Sequence, residues 1–164
     1  MSDPVRIGLL GKGTVGGAFH DLVLERADAV ETTTGRRPEI AGVLRRAEGD
    51  FDRILESSDV VVELIGGTDP ARDYVLRALE AGRHVVTANK QLIAQHGDEL
   101  FDAARRGGVQ LRFEAAVAGV VPVIRVIQES LAATEITKVF GIVNGTTNFI
   151  LSEMAGTGAK GWPR

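Results

Sequence analysis

The chain contains no cysteine among its 164 residues. A disulfide framework, a thiol nucleophile and a cysteine-ligated metal are therefore excluded. Apolar runs are far shorter than the roughly 18 residues of a membrane-spanning helix, so no membrane partner is expected. Positive charge is also in deficit, because the net charge is −3 and the isoelectric point is about 5.6. Nucleic-acid binding usually needs a basic face, so no nucleic-acid partner is expected either.

Two further scarcities narrow the chemistry. The three histidines, His20, His84 and His96, lack the spacing of metal ligands, and we interpret them as structural or solvated. The opening Met1-Ser2-Asp3-Pro4 has neither the basic nor the apolar segment of a signal peptide, and we expect a cytoplasmic protein. Hydrophobic residues make up 44% of the chain, which is enough for a globular domain with a core.

Glycine, in contrast, is abundant, and its pattern near the start of the chain is informative. The turn GKGTVG at residues 11–16 follows an apolar strand pattern and precedes a helical one. We expect Gly11 to permit a tight turn, Gly13 to let a diphosphate approach the backbone, and Gly16 to let the helix pack on the strand. The free N–H groups of the helix N-terminus would face the phosphates. The alternative is a glycine turn that only packs a helix on a sheet.

Strand and helix patterns alternate along residues 5–133, which predicts a parallel sheet with right-handed crossovers. Together with the glycine turn, this order indicates an α/β fold, a doubly wound parallel sheet of the Rossmann type that binds NAD(P). A further strand is predicted over residues 135–143, followed by a new helix. We therefore expect a dinucleotide-binding domain over residues 1–133 and a short remnant of a second, α+β domain over residues 134–164.

Polar residues follow the second and third predicted strands, where a dinucleotide would bind. Arg45 and Arg46 suit the 2′-phosphate of NADP, whereas Glu48 and Asp50 are near enough to keep NAD open. Thr68 follows two glycines after the third strand. Its hydroxyl could hydrogen-bond a ligand, or the segment could be a plain turn.

Charged residues mark two further strand ends. Lys90 follows the fourth strand, at the edge where doubly wound folds bind ligands, although a solvated strand-end charge is the alternative. Glu63 interrupts an otherwise apolar strand. Either a partner at the strand end or a charged neighbour would explain it.

Five segments together resemble the homoserine dehydrogenase family. The glycine turn is generic, whereas TANK at residues 87–90 and GIVNGTTNFIL at residues 141–151 are specific in this order and spacing. The remaining segments are residues 62–67 and 113–119. The resemblance extends over about residues 5–158.

This resemblance implies an NAD(P)H-dependent oxidoreductase that reduces L-aspartate 4-semialdehyde to L-homoserine, in threonine, methionine and isoleucine biosynthesis. It implies that Lys90 stands near the nicotinamide and the substrate carbonyl, where an ammonium can hydrogen-bond the carbonyl oxygen or stabilise alkoxide charge. A homo-oligomer is expected. The expected cofactor-binding residues are Gly11, Gly13, Thr14, Val15, Gly16, Arg46, Thr68 and Lys90.

The resemblance also implies a monovalent cation, such as Na⁺, held by the turn that follows a glutamate. In this chain the ligands would be Glu114 and the backbone carbonyls of Val117, Gly119 and Val121, which are hard oxygen donors. The pair Val120-Val121 departs from the family pattern, which usually has a glycine and an aliphatic residue there.

The family continues well beyond the GTTNFIL segment, and its acidic substrate-binding residues and second catalytic lysine lie there. We therefore expect a truncated chain that folds and binds NAD(P) but turns over little substrate alone. The predicted strand over residues 135–143 would lack partners and expose an edge. Two other functions stay open: a non-catalytic NAD(P)-binding module, and a dimerising remnant with a vestigial glycine turn.

Overall fold

The computed structural model describes residues 3–45, 49–117, 119, 121–141 and 145–156. The chain divides into two compact units, Met1–Ala116 and Val117–Arg164. The domain boundary that we expect after residue 133 stays a prediction. Within the described residues, no helix is both long and apolar enough to cross a bilayer.

In the described part of the first unit, five parallel strands form one sheet in the order β2-β1-β3-β4-β5. The strands are β1 (Val5–Leu10), β2 (Pro38–Leu44), β3 (Val60–Glu63), β4 (His84–Thr87) and β5 (Leu111–Arg112). The helices that connect them are α1 (Thr14–Thr34), α2 (Phe51–Ser57), α3 (Ala71–Glu80) and α4 (Lys90–Gly107). This arrangement confirms the predicted α/β fold with a doubly wound parallel sheet.

Helices pack on both faces of the sheet. Successive residues of a strand point to opposite faces, so both faces carry apolar side chains. Leu10 and Val61 belong to the larger apolar cluster, which includes buried residues of α2, α3 and α4. Leu9 and Val62 belong to a smaller cluster, against which Phe19 of α1 packs. The apolar strands are therefore sandwiched, as their nearly continuous hydrophobic runs predict.

The first helix is longer than its sequence pattern predicts. We expect it to fade near Ala29 and a loop to follow over residues 31–38, but α1 continues to Thr34. The three threonine hydroxyls at positions 32–34 each donate to the carbonyl four residues earlier, so helical backbone and polar side chains are compatible. Gly35, in the left-handed region at φ 75°, ends the helix. The loop prediction is therefore wrong for its first four residues.

The second unit holds mostly helical segments among its described residues. They are α6 (Val123–Arg125), a π-helical turn (Val126–Ser130) and α7 (Gly145–Gly156), while α5 (Glu114–Val117) spans the division. The strand expected over residues 135–143 is wrong for residues 135–141, which form no strand, and residues 142–144 lie outside the described part. A strand needs a neighbour for its backbone groups, and the second unit's described residues offer none.

An ion pair ties β1 to the residue before β3. The guanidinium of Arg6 donates to Asp59 from Nη2 to Oδ1 at 2.8 Å and from Nε to Oδ2 at 3.2 Å. The Arg6 backbone N–H donates to Oδ2 at 2.8 Å, and the Asp59 N–H donates to the Arg6 carbonyl at 2.8 Å. The hydrogen bonds from Arg6 lower the pKa of the Asp59 carboxyl below its usual range.

The large core predicts a strong effect of truncating a buried leucine. Leu79 of α3 is fully buried in the larger cluster, so Leu79→Ala should lower the free energy of unfolding by about 2–5 kcal/mol. Leu24 of α1 is 61% exposed, and Leu24→Ala should change it by less than about 0.5 kcal/mol. Urea unfolding measures both, and equal losses would contradict this assignment of the core.

The Arg6–Asp59 pair predicts a pH dependence. Because the pKa of Asp59 is lower in the folded than in the unfolded chain, its ionised form stabilises the fold above about pH 4. That contribution is lost as the pH falls through the folded-state value. Asp59→Asn should therefore lose less stability than the wild type between about pH 5 and pH 3. Urea midpoints across this range test it, with the exposed Asp98→Asn as the control that keeps the wild-type slope.

Candidate functional site

A cleft of about 980 Å³ opens at the carboxyl ends of the central strands in the first unit. It lies where the chain order reverses, with β2 on one side of β1 and β3 on the other. Doubly wound folds bind their ligands at this switch point. The lining residues are Gly11, Lys12, Gly13, Leu44, Arg45, Gly49, Leu64, Ile65, Gly66, Asp69, Pro70 and Tyr74.

The three glycines of the turn differ in what surrounds them. Gly11 has φ 93°, and a Cβ there would lie 2.8 Å from the Leu64 carbonyl oxygen. A Cβ on Gly16 would lie 1.9 Å from the Gly11 carbonyl oxygen, which is an impossible contact. A Cβ on Gly13 would meet nothing within 4 Å. The chain's own backbone therefore requires glycine at 11 and 16, whereas Gly13 borders open space in the cleft.

The N-terminus of α1 begins directly behind this open space. Gly13 occupies the N-cap position and has no side chain to cap the helix, and no acidic residue stands in the first turn. The first N–H groups of a helix have no partner within it and carry the positive end of the helix dipole. Thr14 and Val15 are exposed there, and Lys12 lines the cleft beside them. The turn therefore presents a positive, uncapped surface suited to an anion.

Arg45, which we expect together with Arg46 to suit the 2′-phosphate of NADP, lines the cleft at the end of β2. Its position directly after a predicted strand was the signal that pointed to it. Arg46 and Glu48 lie outside the described residues. Asp50, one of the two acids that kept NAD open, caps α2 instead. Its Oδ1 accepts from the N–H groups of Asp52 at 3.0 Å and Arg53 at 3.3 Å.

The loop after β3 carries two glycines in the left-handed region, Gly66 at φ 81° and Gly67 at φ 72°. Only glycine adopts this conformation readily. Gly66 lines the cleft. Thr68 is half-buried beside the cleft-lining residues, and its carbonyl accepts from the Arg72 N–H at 2.8 Å, in the turn that leads into α3.

Glu63, the last residue of β3, is fully buried. Its Oε1 accepts from the N–H groups of Ile65 at 2.7 Å and Gly66 at 3.3 Å. Its Oε2 accepts from the Thr87 hydroxyl at 2.5 Å. Of the two explanations considered for this residue, partners at the strand ends are the correct one. No sequence signal identified Thr87 as a partner, because that contact depends on the register of β3 against β4.

Lys90 is the first residue of α4 and follows the end of β4, at the same carboxyl edge as the cleft. Asn89 caps this helix, since its Oδ1 accepts from the Leu92 N–H at 3.1 Å. The Lys90 side chain is exposed, although it is not among the residues that line the cleft. The structure thus brings the glycine turn and the β3 loop together and places Lys90 two strands away from β1.

All four expected cation ligands lie among the described residues. The sequence pattern predicts a strand over residues 109–114, but β5 ends at Arg112 and Glu114 begins α5. Val117 ends α5, and Ala118 and Val120 lie outside the described residues. Gly119 and Val121 are described, and the structure identifies no metal-binding group of three histidine or carboxylate side chains among the described residues. The cation site stays a prediction.

The sheet order and the uncapped glycine turn at its switch point define a dinucleotide-binding α/β domain. The chain belongs to the homoserine dehydrogenase family. The model of the homoserine dehydrogenase NAD-binding domain matches residues 11–114, and the model of homoserine dehydrogenase itself matches residues 122–161. This finding confirms the resemblance carried by the TANK and GIVNGTTNFIL segments.

Similar proteins cover almost all of this chain. The homoserine dehydrogenase of Pseudomonas aeruginosa is 47% identical over 165 residues, 92% of this chain and 38% of that protein. The structure of a homoserine dehydrogenase from Thiobacillus denitrificans has a TM-score of 0.82 and 42% identity, covering 95% of this chain and 40% of that one. A hyperthermophilic archaeal homoserine dehydrogenase mutant, in complex with NADPH, has a TM-score of 0.74 and 25% identity, covering 94% and 57%. The chain spans 38–39% of the length of the curated relatives first matched.

The different surroundings of the glycines predict different effects of one added methyl group. Gly16→Ala should lower the free energy of unfolding by about 2 kcal/mol or more, because its Cβ would strike the Gly11 carbonyl. Gly13→Ala has open space and should change it by less than about 1 kcal/mol. Urea unfolding of the two variants measures the difference. Equal destabilisation would contradict the assignment of Gly16 to packing and Gly13 to the cleft.

Proposed function

We propose that this chain is the cofactor-binding part of an NAD(P)H-dependent oxidoreductase that reduces L-aspartate 4-semialdehyde to L-homoserine. Membership of the homoserine dehydrogenase family supports this reaction. The single observation that carries the proposal is the open space at Gly13 before the uncapped N-terminus of α1. A diphosphate there would meet unpaired backbone N–H groups and the positive end of a helix dipole.

The proposed cofactor site uses both sides of the cleft. Gly13 and the N–H groups of Thr14 and Val15 bind the diphosphate, and Lys12 adds positive charge next to them. Gly11 and Gly16 shape the turn that presents these groups. The cleft volume of about 980 Å³ is of the size that enclosed ligands require.

We propose that the cofactor is NADP, which carries a phosphate on the ribose 2′-position, rather than NAD. Arg45 lines the cleft at the end of β2, where the ribose 2′-position of a dinucleotide lies. Arg46, expected near that ribose, is the neighbouring residue. Asp50, one of the two acids that favour NAD, caps α2 through Oδ1 and is not among the residues that line the cleft. The NADPH of the archaeal homoserine dehydrogenase complex is consistent with this choice.

At the substrate end we propose that Lys90 acts on the carbonyl group. When bound, the reduced nicotinamide supplies a hydride. The exposed ammonium of Lys90, at the start of α4, donates a hydrogen bond to the carbonyl oxygen and stabilises the negative charge that develops there. In this proposal Thr68, on the loop after β3, donates a hydrogen bond from its hydroxyl to the cofactor.

Three further expectations belong to this proposal. A monovalent cation binds Glu114 and the carbonyls of Val117, Gly119 and Val121, because carboxylate and carbonyl oxygens suit a hard cation. The protein forms a homo-oligomer, and it acts in the cytoplasm. Since the chain spans 38–39% of its first relatives, we propose little or no turnover by these 164 residues alone.

A second candidate function is a non-catalytic NAD(P)-binding module, which the same open space at Gly13 supports. Both candidates require cofactor binding, and only the first requires a reaction. Loss of NADPH absorbance on addition of aspartate semialdehyde distinguishes them. Binding of NADPH without such a loss would leave the module as the function of this chain.

The cofactor site predicts the effect of a negative charge at position 13. Gly13→Asp should abolish NADPH binding in calorimetry, because a carboxylate would occupy and repel the diphosphate position. The fold should persist, since Gly13 has a negative φ of −78° and aspartate is a favoured N-cap.

The matched control places the same charge on the exposed far part of the same helix. Ala29→Asp should bind NADPH with wild-type affinity. Titration of the wild type with NADH and NADPH tests the cofactor preference in the same series. If Gly13→Asp binds NADPH as tightly as the wild type, the proposed diphosphate site is wrong.

A further inference from the structure

The position of Glu63 in the sheet makes its contact with Thr87 possible. Glu63 and Thr87 are direct neighbours in the parallel register of β3 and β4. Val61 and Val85, two residues earlier on the same strands, both belong to the larger core cluster. Because strand residues two apart share a face, Glu63 and Thr87 lie on that covered face, where both are fully buried.

Both oxygens of the Glu63 carboxylate accept hydrogen bonds. Oε1 accepts from the Ile65 and Gly66 N–H groups and, at 3.5 Å, from the Asn89 side-chain amide. Oε2 accepts from the Thr87 hydroxyl. The Thr87 oxygen in turn accepts from the Asn89 backbone N–H at 3.0 Å. Every neighbour of these two oxygens is a hydrogen-bond donor, which matches the acceptor oxygens of a carboxylate side chain.

This network joins two segments that face the ligand edge. On one side it holds Ile65 and Gly66, which line the cleft. On the other side it reaches Asn89, the cap of α4, immediately before Lys90. Asn89 also contacts the loop after β3 directly, because its Nδ2 donates to the Gly67 carbonyl at 2.5 Å. The loop after β3 and the start of α4 are thus held by one buried carboxylate and one amide.

We propose that Glu63 is a positioning residue that holds the cleft loop at Ile65–Gly66 in register with the helix start that carries Lys90. The proposal rests on the cofactor-binding function proposed above. Glu63 touches neither cofactor nor substrate, since it is fully buried. It acts through backbone N–H groups of the loop and through Thr87, so that cofactor and ammonium keep a constant separation.

The chemistry of the site explains why an amide cannot replace the carboxylate of Glu63. In the variant Glu63→Gln, an amide with its oxygen at the Oε1 position would point its NH₂ group at Thr87, whose hydroxyl proton would then lose its acceptor. With the amide reversed, the NH₂ group would face the Ile65 and Gly66 N–H groups, donor against donor. A buried donor without an acceptor destabilises the local arrangement, so the loop should shift.

The experiment measures the free and the NADPH-bound chain. In amide NMR spectra without NADPH, Glu63→Gln should shift Ile65 and Gly66 at one end and Asn89 and Leu92 at the other. Its Kd for NADPH should rise by at least about fivefold, as expected for displacement of binding groups by a fraction of an ångström. A purely structural role would lower Tm without changing Kd at a temperature where the chain is folded.

Two side chains provide matched controls. Thr87→Ser keeps the hydroxyl and should keep the wild-type Kd, whereas Thr87→Val removes it and should weaken NADPH binding as Glu63→Gln does. The double variant Glu63→Gln/Thr87→Val should lose less affinity than the product of the two single losses, because both break one hydrogen bond. Glu99→Gln, which breaks the half-buried pair with Arg72, should leave Kd unchanged.

The outcomes separate the two proposals. If the wild type and the folded Glu63→Gln chain bind NADPH equally, the positioning role is wrong and the cofactor site stands. If the wild type does not bind NADPH, both are wrong. If Glu63→Gln does not fold, Thr87→Val against Thr87→Ser decides, and equal affinities of those two would overturn the inference.

Discussion

The backbone contact between Gly16 and the Gly11 carbonyl sets the geometry on which the ligand end of this domain depends. A Cβ on Gly16 would lie only 1.9 Å from that carbonyl oxygen. The first turn of α1 therefore lies directly against the end of β1. This close approach brings the unpaired N–H groups of the helix to the rim of the cleft. A larger residue at either position would move the helix start away from the switch point of the sheet.

The buried carboxylate of Glu63 also shapes this edge of the sheet. Glu63 lies where the core ends and the loops begin, and its partners are donors from the loop after β3, the end of β4 and the residue that caps α4. Burying an isolated carboxylate would be costly, but hydrogen bonds to backbone and side-chain donors offset that cost. A hydrophobic residue at this strand end would extend the core and leave the Ile65 and Gly66 N–H groups without this acceptor. The carboxylate therefore fixes the loop after β3 instead of adding apolar packing to the core.

Membership of the homoserine dehydrogenase family gives these two features a common purpose. In the proposed function, the glycine turn binds a diphosphate, and the Glu63 network joins the cleft loop to the helix that begins with Lys90. Hydride transfer demands that cofactor and carbonyl stay within a narrow range of distance and orientation. In the proposed function, the Glu63 network supplies part of that constraint by holding the loop after β3 against the start of α4.

The sequence by itself determined the fold class, the glycine turn and the family, because these depend on patterns that are local in the chain. Alternating periodicities predict strands and helices, and the segments at residues 87–90 and 141–151 are distinctive as strings. We missed the end of α1 at Thr34 because it lies in a run of polar, turn-forming residues. We missed the absence of a strand over residues 135–141 because strand formation depends on a pairing partner elsewhere in the chain. The tertiary structure added the Cβ distances behind the separate roles that the sequence predicts for Gly11, Gly13 and Gly16. It alone set Glu63 beside Thr87, because register relates segments 24 residues apart in the chain and no periodicity encodes it.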